Sequence, residues 1–251
     1  MNPVLTLAIG AVALLYASVG HAGATGYIAV MTLFGLDPQV IRPTALMLNV
    51  IVASIVTAQF WRAGHFRPRL FLPLAAASVP AAAAGGAANL PTAAFEAIVG
   101  VVLLFSAVRI VVEPRGEAGD ADVDPTGASR FTSLFLIALG GSLGLLSGLT
   151  GVGGGVFLTP ALLALRVAPV RQVAAVSAPF ILVNSIAGLL GGFAAGRPLP
   201  PIGLAVIGAV VVGGAVGSQL GAFRVSPQGL RRLMGVVLVV AGLKLLLKGV
   251  L

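Results

Sequence analysis

Two short stretches carry the residues best suited to hold a ligand: "SVGHAGATG" at 18–26 and "GLTGVGGGVFLTP" at 148–160. The second packs five glycines into the eight positions from 148 to 155, inside a long apolar run. A helix broken there leaves N–H and C=O groups unpaired, and in hydrocarbon each costs several kcal/mol unless protein, water or a ligand satisfies it. Where the next half-helix begins, free N–H donors and the positive end of the helix dipole suit an anion. The residues placed for this are Gly20, His21, Gly23, Ala24 and Thr25 in the first break, and Thr150, Gly151, Gly153, Gly154 and Gly155 in the second. Glycine also serves close helix packing. Duplication of the break, its polar companions and the length of the segments around it favour a ligand site.

The elements that must position these residues are membrane helices. The chain is 58% hydrophobic and 9% charged, with mean hydropathy +1.09, which excludes a water-soluble globule. At roughly 20 residues per span, 251 residues allow about eight membrane segments and no separate soluble domain. The net charge of +8 comes from basic residues scattered singly between apolar segments, so a bilayer, not nucleic acid, is the expected environment. Cysteine is absent, which removes disulfides and thiolate chemistry. No GxxxxGK[ST] loop is present and no cofactor is implied. The N-terminal run ends in small residues like a signal peptide, but no Lys or Arg precedes it and a similar segment recurs internally.

That recurrence is a repeat. An offset of 131 matches Leu5 with Leu136, Gly10 with Gly141, Gly20 with Gly151, Gly23 with Gly154, Pro38 with Pro169 and Ser54 with Ser185. After a four-residue slip, "GVVL" at 100–103 falls on "GVVL" at 235–238. The expected organisation is a first membrane repeat at 1–112, a polar linker at 113–130 with five of the seven acids, and a second repeat at 131–251. Each repeat reads as one long glycine-broken segment and three ordinary spans: 3–36, 42–61, 68–88 and 93–112, then 131–166, 171–192, 200–222 and 229–250. As one rod, the 34 residues of 3–36 would be about 51 Å long, far more than a core of about 30 Å requires.

Basic residues weigh crossing against re-entry of the long segments. If all eight segments cross, the two sides carry nine and six basic residues; if both long segments re-enter, the split is eleven to four. The second arrangement makes the halves inverted and puts both termini outside the cytoplasm. The predicted fold class is therefore an all-α polytopic membrane protein with two inverted repeats, each a re-entrant broken helix plus three transmembrane helices.

Acids are scarce where a cation carrier needs them: Glu96 alone lies in a predicted span and Asp37 in a loop. An anion or a neutral solute is the better match. Arg42 precedes Pro43 and is expected at a helix start near the mouth of the break, or as a snorkelling interfacial residue. Asn49, Ser54 and Gln59 lie on one span, and Ser177, Asn184 and Ser185 on its counterpart; Asn184 and Ser185 align with Ala53 and Ser54. Asn49, Ser54, Asn184 and Ser185 join Arg42 as candidate binding residues. His21 either titrates beside an anion or serves a structural role.

The motif "GVGGGVFLTP", followed by "ALLAL", together with "YASVGHAGATGYIAVMTLFGL", "RPTALMLN" and "QFWRAGHF", resembles the TauE/SafE family of membrane permeases over nearly the whole chain. The resemblance implies a secondary transporter of small sulfur-containing anions, such as sulfite, thiosulfate or organosulfonates, in the bacterial inner membrane. The first break departs from the family's fuller glycine run at "GHAGATG". A small-anion channel and a non-transporting membrane scaffold are the alternatives; no His, Asp, Glu or Cys cluster supports an enzyme or a metal site. A homodimer and a coupling ion are compatible with the sequence, which specifies neither.

Overall fold

The computed structural model describes residues 2–18, 20–112, 133–165, 167–168, 170–223, 238–240 and 242–247. Every regular element among them is helical: α1 (Pro3–Ser18), α2 (Ala24–Leu33), α3 (Pro38–Arg62), α4 (Pro68–Ala87), α5 (Thr92–Val112), α6 (Ser133–Thr150), α7 (Gly155–Ala164), α8 (Val170–Ala194) and α9 (Leu204–Phe223). Four of them, α3, α4, α6 and α8, are long and apolar enough to cross a bilayer. The linker at 113–130 and most of the last span, 229–250, lie outside the described residues.

Both long segments are broken where the glycines predict. The 16 residues of α1 and the 10 of α2 rise about 24 and 15 Å, in place of one rod. Gly20 ends α1 with φ 80°, a left-handed conformation that glycine takes without strain. The amide of Gly20 then donates to Ala17 O at 3.1 Å and that of His21 to Tyr16 O at 2.9 Å, closing the helix end in a Schellman arrangement. Gly151 also ends α6 in the left-handed conformation, φ 79°, but with a single bond from its amide to Ser147 O at 2.8 Å.

Helix directions follow from the close contacts. Gly140, Gly144 and Gly148 of α6 press on the backbone of Leu74, Ser78 and Ala82, so α4 and α6 run parallel with the glycines one turn apart. Gly213 and Gly217 of α9 press likewise on Gly10 and Leu14 of α1, again parallel. In contrast, α8 runs antiparallel to α3, with Asn49 beside Ser185 and Leu46 beside Gly188. Arg67, which precedes α4, donates to Gln172 at the start of α8 at 3.0 Å. One end of the bundle thus gathers the starts of α4, α6 and α8, and the other the starts of α1, α3 and α9.

At that second end, basic side chains close helix C-termini. Arg42 donates from Nε to Gly148 O at 3.0 Å and from its terminal nitrogens to Gly148 O at 2.6 Å and to the carbonyls of Gly85, Gly86 and Ala88. Arg197 reaches the same end of α4, at Gly86 O (2.6 Å), Ala87 O (3.0 Å) and Ala88 O (2.6 Å). Lys244 caps α2 through Thr32 O at 2.9 Å. Each places positive charge on the negative end of a helix dipole and satisfies carbonyls that have no intrahelical donor.

The packing role of the helical glycines is measurable. A Cβ on Gly144 would fall inside the contact distance of the Ser78 backbone, whereas one on Gly208 of α9 meets nothing within 4 Å. Gly144→Ala is expected to lower thermal stability in detergent by about 1–3 kcal/mol, the usual cost of overpacking, and Gly208→Ala to leave it level or slightly raised. Equal effects at the two positions would refute the packing assignment.

Candidate functional site

The antiparallel pair α3 and α8 forms the wall on which both breaks converge. Gly20 lies against Ala174, with Phe60 next to it, toward one end of that pair, while Gly151 lies against Arg42 toward the other. Between them, Gly155 faces Ile181 and has His21 Cδ2 3.7 Å from the position a Cβ would take. Gly153, at φ 80°, faces Asn49 and Ser185 so closely that a Cβ would stand 2.6 Å from Asn49 Nδ2 and 3.3 Å from Ser185 Oγ. Gly154, at φ 74°, faces Phe180 and Ser147. Side chains are excluded here on two counts, conformation and space.

Polar side chains link the broken segments. His21 Nε2 pairs with Thr159 Oγ1 at 3.0 Å, and Thr159 Oγ1 with Ser177 Oγ at 2.9 Å, a chain joining the first break to α7 and α8. Tyr16 OH and Thr25 Oγ1 lie 2.8 Å apart across the first break. Thr150 Oγ1 donates to Leu146 O at 2.7 Å and accepts from the Val152 amide at 3.3 Å. Asn49 Nδ2 makes only long contacts, 3.5 Å to Val152 O and 3.3 Å to Ser185 Oγ. Asn184 Nδ2 donates to Phe180 O at 2.8 Å. The Oδ1 atoms of Asn49 and Asn184 and the hydroxyls of Ser147 and Tyr27 are buried with no partner among the described residues.

The half-helices that start at the breaks have bare N-termini. Gly23, at φ 103°, occupies the N-cap of α2 and brings no side-chain acceptor; the Tyr27 amide is bonded to Gly23 O at 2.9 Å. At α7, Gly154 O accepts from Phe157 and Leu158 at 3.2 and 3.1 Å. The amides of Ala24, Thr25 and Gly26, and of Gly155 and Val156, come before those first acceptors and have none within their own helix. Helix α3 shows the contrast, because Asp37 there accepts from the Gln39 amide at 2.7 Å. A pair of N-termini without side-chain caps supplies amide donors and positive potential.

Of the residues singled out in the sequence, Gly20, His21, Gly23, Ala24 and Thr25 lie in the first break, and Thr150, Gly151, Gly153, Gly154 and Gly155 in the second, with Asn49, Asn184 and Ser185 buried on the wall between α3 and α8. Two are placed differently from expectation. Helix α3 begins a turn earlier than 42, since Asp37 caps it and Pro38 takes its first position, so Arg42 is inside the helix and its guanidinium is engaged with carbonyls of α4 and α6. Ser54 is exposed on the outer side of α3, with its hydroxyl turned back to Val50 O at 2.6 Å. Asn49, one turn earlier than the repeat alignment suggests, is the residue that meets Ser185. The sequence reading passed over Thr159, Ser147 and Tyr16; each lies within a few residues of a break, which was the available signal.

The sulfite exporter TauE/SafE family model matches residues 5–245. A protein from Sinorhizobium fredii named "Probable membrane transporter protein y4hK" is 38% identical over 242 residues, covering 96% of this chain and 97% of its own length. No solved structure matches significantly. With its glycine-broken helices converging on a buried polar centre, the chain belongs to the TauE/SafE family of membrane transporters.

Proposed function

We propose that this transporter carries a small sulfur-containing anion, such as sulfite, thiosulfate or an organosulfonate, across the bacterial inner membrane by alternating access, as a permease and not an enzyme. The observation that carries the reading is that each break leaves a half-helix N-terminus without a side-chain cap, at α2 and α7, with His21 of the first break beside Gly155 at the start of the second. Their free amides and positive dipole ends are complementary to an anion, and no acidic side chain among the described residues of α2, α3, α7 or α8 competes for them. His21 of the first break, linked to Thr159 and Ser177, ties that break to α7 and α8 beside Gly155.

The helix directions support inverted repeats with re-entrant broken segments. Since α6 and α8 start at one end, the segment holding α6 and α7 leaves and returns on that side; since α1 and α3 start at the other, the segment holding α1 and α2 does the same on its side. The matching partnerships α1 with α9 and α4 with α6 exchange the first helix of each half with the fourth of the other, as a two-fold pseudo-axis requires. Rocking of one close-packed pair, α1 with α9, against the other, α4 with α6, then exposes the shared centre to each side in turn. The end rich in basic residues faces the cytoplasm.

Ligand binding is tested by thermal unfolding of the purified protein in sulfite, thiosulfate, sulfoacetate, sulfate and chloride. One sulfur anion at a hundred times its Kd is expected to stabilise the fold by about 2.7 kcal/mol, and His21→Ala to weaken that response. A folded protein indifferent to every sulfur anion would sink the assignment. For topology, the absence of cysteine makes single replacements direct reporters. In intact cells, a membrane-impermeant maleimide should label Gly203→Cys and spare Ala121→Cys until the cells are opened; labelling of Ala121→Cys from outside contradicts the inverted arrangement.

A further inference from the structure

At the end of the bundle where α1, α3 and α9 start, two guanidiniums close on the same carbonyls. Arg42 and Arg197 both donate to Gly86 O, at 3.0 and 2.6 Å, and both reach Ala88 O, at 3.5 and 2.6 Å. Sharing an acceptor holds the two positive heads within about two hydrogen-bond lengths of each other. Neither meets a carboxylate among the described residues: the further acceptors are Gly85 O and Gly148 O for Arg42, and Ala87 O and Asn89 Oδ1 for Arg197. The carbonyl ends of α4 and α6 return only roughly half a negative charge each. Against two guanidiniums, an excess of about one positive charge is left uncompensated.

The carbonyl bonds use only part of each guanidinium, a group with five N–H donors. Arg42 turns Nε and Nη2 to carbonyls, while its Nη1 makes only the 3.5 Å contact. Arg197 commits Nη2 to three acceptors and Nη1 to one, so its Nε–H and a second Nη1 hydrogen remain. Both side chains line a partly open cleft with about 300 Å³ of empty space, open solvent included, and with apolar walls from Leu46, Phe193, Pro198 and Leu199. Spare forked donors and surplus positive charge beside an apolar wall fit an oxyanion carried on a small organic group. Arg42, Leu46 and Asn49 follow at i, i+4 and i+7 on one face of α3, so the cleft stands about 10 Å along that helix from Asn49 at the centre. Leu46, buried against Gly188, lies between the two.

We propose that Arg42 and Arg197 bind a small oxyanion group, a sulfonate or a phosphate, in this cleft, as a staging site from which the transported anion passes to the centre. The staging role rests on the reading of the centre as the transport site; binding in the cleft does not. Water reaches the half-buried guanidiniums and screens the pair, so the anion is held loosely while its local concentration is raised.

Leu199→Cys puts a single thiol on the cleft wall, and Gly203→Cys puts one at the same end with nothing within 4 Å. In detergent, the rate with a sulfonate-bearing methanethiosulfonate, divided by the rate with its trimethylammonium counterpart, should be about tenfold higher at Leu199→Cys than at Gly203→Cys. Adding Arg197→Gln should pull that ratio down toward the Gly203→Cys value. Phosphate or methanesulfonate, with ionic strength held by chloride, should slow the sulfonate reagent at Leu199→Cys alone. If Arg197→Gln fails to fold, this competition decides by itself. Equal ratios at the two positions overturn the cleft, and if the sulfur-anion rise in Tm persists and is weakened by His21→Ala, the centre stands. Protection in the cleft with no such rise keeps the cleft and overturns the centre. In nanodiscs, slowing at Leu199→Cys by phosphatidylglycerol over phosphatidylcholine, normalised to Gly203→Cys and without protection by the small anions, assigns the oxyanion site to a lipid headgroup and overturns the staging role. Protection by neither source overturns the site.

Discussion

The constraint on which this structure depends is that a backbone polar group inside a bilayer must find a partner, and breaking a helix there creates several that have lost theirs. The two kinds of helix end are treated differently. C-terminal carbonyls are closed by the protein itself: α1 and α6 by glycines in left-handed conformation, α4 by Arg42 and Arg197, and α2 by Lys244. The N-termini of α2 and α7 end on glycines, which carry no cap. Protein therefore satisfies the negative ends and leaves the positive ones available. That asymmetry, more than any single side chain, suits the centre to the anion proposed for it.

Glycine performs two separate tasks here, and the backbone angle distinguishes them. Gly140, Gly144, Gly148, Gly213 and Gly217 lie within helices and let parallel partners approach until backbone meets backbone. Gly20, Gly23, Gly151, Gly153 and Gly154 have φ between 74° and 103° and shape the breaks. The first group ties α1 to α9 and α4 to α6, so each half grips the other through a rigid, close-packed pair. Of the second group, Gly20, Gly151, Gly153 and Gly154 lie against α3 and α8, while Gly23 faces Val12 and Tyr27 of its own segment. A centre that lies between two such close-packed pairs is suited to rigid-body motion of one pair against the other.

Much of this was legible in the sequence because composition and glycine clustering are strong signals over long windows. The membrane class followed from hydropathy, and both breaks from segments too long to be single spans. At Arg42 two local signals compete: Pro43 suits a helix start, but Asp37 and Pro38 provide a better one a turn earlier, so Arg42 sits inside α3 while still lying against Gly151 at the second break. Ser54 departs from expectation for another reason. A repeat alignment pairs positions, not faces, and a single residue turns a helix by about 100°, so Ser54 points outward while Asn49 meets Ser185. The partners that join segments, such as Thr159 with His21 across 138 positions, depend on tertiary convergence that no local pattern encodes.

The absence of fixed charge from the described side chains at the centre has a consequence for turnover. Basic residues at the end where α1, α3 and α9 start are occupied: Arg42 and Arg197 bond to the carbonyls of α4, and Lys244 to those of α2. Within low-dielectric surroundings a full guanidinium beside an anion would form a pair that costs several kcal/mol to separate. Partial charges on helix N-termini, together with hydroxyls and amides, offer weaker and shorter-ranged attraction that falls off within the first turn. An ion moving through the membrane must be held tightly enough to enter and loosely enough to leave. Dipoles meet both demands where a fixed charge meets only the first, and the use of arginine on helix ends rather than at the centre is the arrangement that keeps the central site reversible.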